Sequence, residues 1–293
     1  MERHAHKGIG VLIGVVLVVL DIVVWGAIRG VSGRAYSEID FLDVGQGDSQ
    51  LLLLPGGVTA LTDAGPPRSV ARALDGVMPS GKRYIDLAIL THPQLDHMGG
   101  FVDLLDRYAF GAFLWNGRED AAAQDTWRLI KEKLLAKGIP MIAIRGGDAI
   151  RVDESRISFL GPDTRDLMSK ELNDTGLIEY IHTPQFSALF TADISARSER
   201  ALVGRFDVHT DILKVAHHGS RFSSDEQFLK EASPKIAGIG VGKNSYGHPT
   251  KDALARLASV GAKIFRTDLN GTVRVIAENG KLKVFVERNE RKD

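Results

Sequence analysis

The residues best suited to chemistry lie in the segment THPQLDHMGG (91–100), directly after the apolar run IDLAIL (85–90). His92, Asp96 and His97 fall within six consecutive positions of this segment. A loop at the end of a buried strand can turn all three side chains toward one point. Imidazole nitrogens and carboxylate oxygens are suitable ligands for zinc or manganese. The segment therefore indicates a metal site, although a surface loop with ordinary histidines remains an alternative.

Other ligand-type residues also end apolar, strand-like runs. They are Asp63 in VTALTDAG (58–65), Asp193 in SALFTAD (187–193), and His217 and His218 in DILKVAHH (211–218). Any one of them alone is more typical of a helix cap or a turn. Their repeated position after strands predicts that several strand ends meet at one site.

Composition narrows the classes of function that remain. The chain has 293 residues, of which 44% are hydrophobic and 25% charged, as in an ordinary globular protein. The 37 basic and 37 acidic side chains balance, so the chain as a whole lacks a strongly basic nucleic-acid footprint. Because there is no cysteine, disulfides, cysteine-ligated zinc and a thiol nucleophile are excluded.

The N-terminal region contains an apolar stretch, residues 8–28, in which Asp21 is the only ionisable side chain. About 20 apolar residues suffice to cross a bilayer, and the apolar core of a signal peptide is usually shorter. We therefore predict a membrane anchor over 1–30, with a cleaved signal peptide as the alternative. A slight excess of basic charge before the stretch favours a single-pass protein of the cell membrane with an extracytoplasmic catalytic domain. A linker over 31–36 and a hydrolase domain over 37–290 follow.

Strand-like runs occur in both halves of the chain, with helical segments such as 126–137 between them. The C-terminal segment TVRVIAENGKLKVFVE predicts a hairpin with Asn279-Gly280 at its turn. This order favours an α/β sandwich of two sheets with outer helices over a single doubly wound sheet.

Several motifs together resemble the metallo-β-lactamase fold and, more narrowly, the hydrolase domain of ComEC-type DNA-uptake competence proteins. The resemblance covers about residues 37–287. The motifs are LDVGQGDS (42–49), TDAG (62–65), the segment 91–100, NDT (173–175), TAD (191–193), KVAHHGS (214–220) and NSYGHP (244–249). The resemblance implies a four-layer αββα sandwich with a metal site at one edge, and hydrolysis by a metal-activated water. In this chain we expect one transmembrane helix to precede that sandwich.

The resemblance also implies roles for individual residues. His92, Asp96 and His97 match the central ligand motif, Asp193 the acid that can bridge two metals, and His217 the last histidine ligand, with His218 as its alternative. Asp63 matches the acid that orients the metal-binding loop, and His248 a histidine that meets the substrate phosphate or leaving group. The expected catalytic residues are thus Asp63, Asp96 and His248.

Two positions depart from the family pattern, Gln94 and Asn173, where amides stand in place of stronger ligands. Both weaken the first metal site, whereas the second keeps a full ligand set. One or two ions, zinc or manganese, are therefore expected. Asp48 is expected either to support a ligand by a hydrogen bond or simply to form a turn. The polar residues expected at a substrate-facing rim are Ser220, Lys243 and Asn244.

The function expected from these features is hydrolysis of phosphodiesters, with single-stranded DNA as one substrate, by a membrane-anchored metalloenzyme. Two alternatives stay open: a hydrolase of a small molecule or envelope component, and a catalytically weak DNA-binding module of an uptake system. A β-lactamase is disfavoured because the chain has no cysteine ligand. The sequence leaves the oligomeric state open.

The predicted anchor leads to a fractionation test. We expect the full chain to sediment with membranes and a chain that starts at Ser37 to stay in the supernatant, because residues 8–28 supply the apolar surface. Immunoblotting of the two fractions measures this. Full-length, uncleaved protein in the supernatant would contradict the anchor.

Overall fold

The structure is a computed structural model that describes residues 37–79, 81–278 and 280–288. Within these ranges, two β-sheets form the centre of the fold. The strands are β1 Glu38–Phe41, β2 Gln50–Leu53, β3 Thr59–Thr62, β4 Tyr84–Leu90, β5 Ala109–Trp115, β6 Met141–Ala143, β7 Ala149–Val152, β8 Ser155–Gly161, β9 Ile178–His182, β10 Ser187–Phe190, β11 Ile212–Lys214, β12 Ile236–Ile239, β13 Lys263–Arg266, β14 Val273–Glu278 and β15 Lys281–Val286.

The helices connect the strands and are mostly short. They are α1 Val70–Val77, α2 Leu95–Met98, α3 Phe101–Arg107, α4 Gln124–Ala136, α5 Ala196–Val203, α6 Glu226–Ala232, α7 Lys251–Ser259 and α8 Thr267–Asn270. Side-chain caps mark two of their starts. The Asp225 carboxylate accepts from the Gln227 and Phe228 amides, and the Thr250 hydroxyl accepts from the Ala253 amide.

The first sheet has the strand order β15-β14-β1-β2-β3-β4-β5-β6, and the second β13-β12-β11-β10-β9-β8-β7. In the first sheet β3, β4 and β5 run parallel to one another, and in the second β10, β11 and β12 do so. The carboxyl ends of parallel strands lie at one edge of a sheet. The loops that follow β3, β4, β10 and β11 carry the predicted ligands, so each sheet collects part of the set at one edge.

Three clusters of buried apolar side chains show the layers. One joins the first sheet to α1, α3 and α4 and includes Leu61 and Phe101; another joins the second sheet to α5, α6 and α7 and includes Phe228. The third lies between the sheets, where Phe41 and Phe190 approach with ring centroids 6.2 Å apart. Successive residues of one strand belong to different clusters, as Ala60 and Leu61 of β3 do. The predicted two-sheet α/β sandwich is confirmed.

The predicted anchor segment, 8–28, lies outside the described residues. Over the ranges that the structure does describe, no helix combines the length and the apolar character needed to cross a bilayer.

A polar contact also lies in the mainly apolar layer between the sheets. The Thr62 hydroxyl of β3 lies 3.0 Å and 3.1 Å from the two carboxyl oxygens of Glu179 in β9, which is 1% exposed. Burial raises the pKa of Glu179 to about 8, more than the Thr62 contact lowers it. The neutral acid is therefore the form that suits the folded protein at neutral pH.

We expect Glu179→Gln to flatten part of the dependence of stability on pH. The pKa of Glu179 is higher folded than unfolded, so its protonation stabilises the fold below about 4.5 and that contribution is lost as pH rises toward 8. Unfolding by urea with chelator present should give equal free energies for both proteins near pH 5. At pH 8.5 the free energy of unfolding of the variant should exceed that of the wild type by roughly 2–4 kcal/mol, since one pKa unit corresponds to about 1.4 kcal/mol. Exposed Glu154→Gln is the control, and parallel pH curves would contradict the assignment.

Candidate metal centre

Asp63 ties the loop after β3 to the loop after β4. Its Oδ1 accepts from the Thr91 amide at 2.8 Å, and its Oδ2 accepts from the Thr91 hydroxyl and from His97 Nδ1, both at 2.7 Å. Asp63 is 1% exposed and has a left-handed backbone, φ 57°. The carboxylate thereby fixes the His97 ring with Nδ1 protonated and Nε2 directed away from Asp63.

The Thr91 hydroxyl also orients His92. Since the Thr91 hydroxyl donates to Asp63, it accepts from His92 Nδ1, which lies 2.9 Å away. Burial, reinforced by the charge of His97, lowers the pKa of His92 to about 4, so this ring is neutral. One buried carboxylate therefore sets the tautomer of both histidines and leaves each Nε2 for the site.

His97 and His218 direct their Nε2 atoms toward Asp193. The distances to Asp193 Oδ2 are 3.3 Å from His97 and 3.5 Å from His218. Asp96 Oδ2 lies 3.4 Å from His218 Nε2 on the same side. His218 Nδ1 donates to the Gly240 carbonyl at 2.7 Å, which fixes its tautomer as Asp63 fixes that of His97.

Left-handed backbone conformations aim the ligands that follow the second sheet. Ala192 has φ 46°, and the consecutive residues His217 and His218 have φ 51° and 52°. Such conformations are costly for residues other than glycine and asparagine, and they cluster at functional sites. They turn adjacent histidines in different directions, with ring centroids 6.2 Å apart. His218 enters the cluster with Asp193, whereas His217 lies in the cleft beside Asn173.

The donor set fits a divalent cation. Buried His97 Nε2 and His218 Nε2 both lack a hydrogen-bond partner among the described residues. Ligand atoms of Asp48, His97, Asp193 and His218 all lie within 4.8 Å of one another. Asp48 Oδ2 is paired with Lys214, while Asp96, 34% exposed, reaches the cluster from the open side. His97, Asp193, His218 and Asp96 would hold the ion, a mixed nitrogen and oxygen set that suits zinc or manganese.

The charges in the site also call for a cation. Among the described residues, the site holds four carboxylates, those of Asp48, Asp63, Asp96 and Asp193, and one ammonium, that of Lys214, which contacts Asp48 and Asp193. Burial opposes protonation of His97 and His218, but Asp193 with its neighbouring acids outweighs it: the pKa of His97 lies well above its ordinary value and that of His218 rises to about 9. A cation would take the place of those protons.

A chain of amide contacts lies where the sequence resemblance predicts the weakened first metal site. His92 Nε2 lies 3.3 Å from Gln94 Oε1, Gln94 Nε2 donates to Asn173 Oδ1 at 2.7 Å, and Asn173 Nδ2 lies 3.4 Å from His217 Nε2. Gln94 thus donates to Asn173 and Asn173 to His217, whereas the unprotonated His92 Nε2 faces an amide oxygen that cannot donate to it. Amide oxygens are weak ligands for zinc, so this half of the site offers His92 and little else.

Above the cluster lies an open cleft of about 530 Å³, lined among others by His217, Tyr246 and His248. The Asn244 side chain shapes its far wall: it donates to the Gly242 and His248 carbonyls and accepts from the Tyr246 and His248 amides. Burial lowers the pKa of both His217 and His248. The cleft thus presents two neutral imidazoles near the cluster.

Two of the other polar residues expected at the rim have different surroundings. Ser220 is 1% exposed, and its hydroxyl accepts from the Phe222 amide at 3.3 Å, so it braces the loop and lies away from the rim. Lys243 is exposed. Asp48 is fully buried and belongs to the cluster itself. Its Oδ1 lies so close to Gly240 that a Cβ at that position would collide with it.

Lys214 is the functional residue to which sequence reasoning assigned no role. It ends β11 and is 1% exposed; its Nζ donates to the Ala192 carbonyl at 2.5 Å, contacts Asp48 and lies 3.4 Å from Asp193 Oδ1. Although burial opposes it, Asp48 and Asp193 raise the pKa of Lys214, which stays charged. The sequence offered one signal for this residue, a lysine at the end of an apolar strand. Such a lysine must have an acidic partner when it is buried.

The two-sheet sandwich is consistent with the metallo-β-lactamase fold. The sequence profile of the metallo-β-lactamase superfamily matches residues 42–242, and the chain belongs to that superfamily.

Its curated relatives are ComEC-like competence proteins. The chain is 28% identical over 261 residues to ComE operon protein 3 of Bacillus subtilis (strain 168), covering 83% of this chain and 33% of that protein. It is 30% identical over 255 residues to competence protein ComA of Neisseria gonorrhoeae, covering 82% and 32%. The chain spans about a third of the length of these relatives.

Solved structures share the fold at lower identity. The metallo-β-lactamase fold protein YhfI from Bacillus subtilis has a TM-score of 0.54 at 16% identity, covering 85% of this chain and all of that one. CmlA, a diiron β-hydroxylase from Streptomyces venezuelae, has a TM-score of 0.54 at 13% identity, covering 84% and 54%. At these identities the likeness concerns the fold alone.

The positions of the two adjacent histidines lead to a matched pair of variants. We expect His218→Ala to lower affinity for zinc at least 100-fold, because it removes an imidazole that faces Asp193, and loss of a ligand's supporting contact alone costs 10–100-fold. His217→Ala should change the affinity for zinc less than about threefold. A competition titration against a chromophoric chelator measures both. The reverse order would place His217 in the metal centre.

Proposed function

We propose that the chain is a metal-dependent hydrolase of phosphodiester bonds that acts on DNA. The observation that carries the proposal is the convergence of His97, His218, Asp193 and Asp96 beneath an open cleft. A divalent cation there would acidify a water molecule and polarise a phosphoryl oxygen.

The chain's own residues supply the remaining parts of this reaction. Asp63 keeps the ligand loop in place through His97 and Thr91. Asp96, the most exposed carboxylate of the cluster, is placed to accept a proton from the attacking water. His248, a neutral imidazole in the cleft wall, can donate a hydrogen bond to the phosphate or to the leaving oxygen.

The DNA substrate is supported by the relative from Neisseria gonorrhoeae, which is named a competence protein, and by recombination protein 2 of Haemophilus influenzae, 24% identical over 258 residues. Residues 8–28 support a single-pass membrane protein with an extracytoplasmic hydrolase domain over 37–290. In this proposal the domain meets single-stranded DNA at the outer face of the membrane.

The hydrogen-bonded amides of Gln94 and Asn173 favour a second candidate, a binding module with little catalysis. One experiment separates the two. The full-length chain in detergent is stripped with chelator, reloaded with zinc or manganese, and given end-labelled single-stranded DNA and bis-p-nitrophenyl phosphate. Metal-dependent cleavage that His97→Ala abolishes supports the hydrolase, retention of DNA without cleavage supports the binding module, and neither activity contradicts both.

Tyr246 tests whether the substrate is nucleic acid. Its ring lines the cleft, is 73% exposed and lies 5.8 Å from that of His248. Stacking on a base contributes roughly 1–3 kcal/mol, so Tyr246→Ala should raise KM for single-stranded DNA about tenfold, and Tyr246→Phe should not.

Two controls accompany this prediction. An oligonucleotide that is abasic around the cleavage site should be cut equally by Tyr246→Ala and wild type. Phe222→Ala removes another exposed aromatic side chain, 65% exposed and absent from the cleft lining, and should leave KM unchanged. Equal KM values for Tyr246→Ala and wild type on intact DNA would exclude base stacking at this position.

A further inference from the structure

The turn between β1 and β2 places Gln46 at the cleft. Gln46 is half-buried and is one of the residues that line the cleft above the metal cluster. A Cβ at Gly47 would lie 2.4 Å from the Asp96 carbonyl oxygen, and one at Gly242 would lie 2.4 Å from the Gly45 carbonyl carbon. Both obstacles are backbone atoms, so these close approaches require glycine. The turn that carries Gln46 is therefore held between the segments that follow β4 and β12.

One half of the Gln46 side-chain amide is already bonded to the protein. Its Oε1 accepts from the Gly242 amide at 3.3 Å. Because a backbone N–H can only donate, this contact identifies which end of the side-chain amide is the oxygen. The other end, Nε2, has two protons to donate and no hydrogen-bond partner among the described residues. Gln46 thus offers a donor of fixed orientation on a side chain that lines the cleft.

The lining of the cleft offers few other donors to an anionic substrate. Over the described residues, it includes three carboxylates but no lysine or arginine. The other side-chain amides of the lining already have partners, since Gln94 donates to Asn173 and Asn173 to His217. A phosphate oxygen that does not contact a bound ion therefore depends on neutral donors, and Gln46 Nε2 is one that no protein acceptor occupies.

We propose that Gln46 is a substrate-binding residue whose Nε2 donates a hydrogen bond to a non-bridging oxygen of the scissile phosphate. The inference rests on the proposed hydrolysis of phosphodiesters and adds a residue to it. The Gly242 amide holds the donor in place before the substrate binds, so no reorganisation is needed as negative charge grows on the phosphoryl oxygens.

Two substitutions at Gln46 separate donation to phosphate from support of the turn. Gln46→Glu keeps an oxygen for the Gly242 amide but has no proton to donate at neutral pH. Gln46→Met is uncharged, has a similar length, and has neither group. Leu95→Glu is the control for charge, because it adds a carboxylate to the lining of the same cleft and leaves the Gln46 amide intact.

The measurements use the full-length chain in detergent, loaded with zinc. Calorimetry gives Kd for inorganic phosphate, and bis-p-nitrophenyl phosphate gives kcat/KM. We expect Kd for phosphate to rise at least about tenfold in both Gln46 variants and less than about threefold in Leu95→Glu, because a hydrogen bond to a charged group contributes more than a screened charge. The values of kcat/KM should fall in the same order. Competition with a chromophoric chelator should show that Gln46→Met keeps the zinc affinity of wild type.

Each alternative gives a different pattern. Phosphate binding by Gln46→Glu equal to that of wild type would show that the amide only supports Gly242, which overturns the inference. Equal losses in Gln46→Glu and Leu95→Glu, with none in Gln46→Met, would assign the effect to charge and also overturn it. Weaker binding of both phosphate and zinc by Gln46→Met would indicate a displaced ligand loop, with the same consequence. Wild type that binds zinc but neither binds phosphate nor cleaves bis-p-nitrophenyl phosphate would instead contradict the proposed function.

Discussion

The arrangement of the site depends on one buried carboxylate, that of Asp63. It holds His97 directly and His92 through the Thr91 hydroxyl, and in doing so it joins the loops after two parallel strands. A neutral replacement at this position would lose the charge that keeps both Nδ1 atoms as donors. The apolar core positions the strands to within side-chain reach, but it has no means of selecting a tautomer. Asp63 supplies that selection, so the availability of the two Nε2 atoms depends on a hydrogen-bond network as well as on proximity.

The second sheet contributes its ligands by a different device. Asp193 and His218 are fixed by left-handed backbone at Ala192 and at His217-His218, and His218 by the Gly240 carbonyl. The two half-sites meet because the apolar layer between the sheets brings their edges together, with Thr62 and Glu179 as a polar contact inside it. Strain in the loops is offset by this packing, since sparsely populated conformations persist only where the surroundings overdetermine them.

Strand-end residues such as His97 and Asp193 were predictable from the sequence, because an apolar run followed by a ligand-type residue reports both the strand and its end. The two-sheet sandwich was predictable for the same reason. Which of His217 and His218 enters the cluster was not predictable, because it depends on the left-handed backbone of these two successive residues. Neither is a glycine, so the sequence does not mark that conformation. Nor was the pairing of Asp48 with Lys214, residues 166 positions apart that only the completed fold brings into contact.

The amides of Gln94 and Asn173 and the ammonium of Lys214 together set the charge around Asp193. A dinuclear centre gathers acidic and imidazole ligands around four positive charges. In this site the amides of Gln94 and Asn173 bond to each other and demand no cation, while the Lys214 ammonium already compensates Asp48 and part of Asp193. The carboxylates of Asp96 and Asp193 and the Nε2 atoms of His97 and His218 remain as donors for a divalent ion. The four carboxylates of the site carry more negative charge than Lys214 offsets, so the charge of the site favours a bound cation, while Gln94 and Asn173 add nothing to that charge.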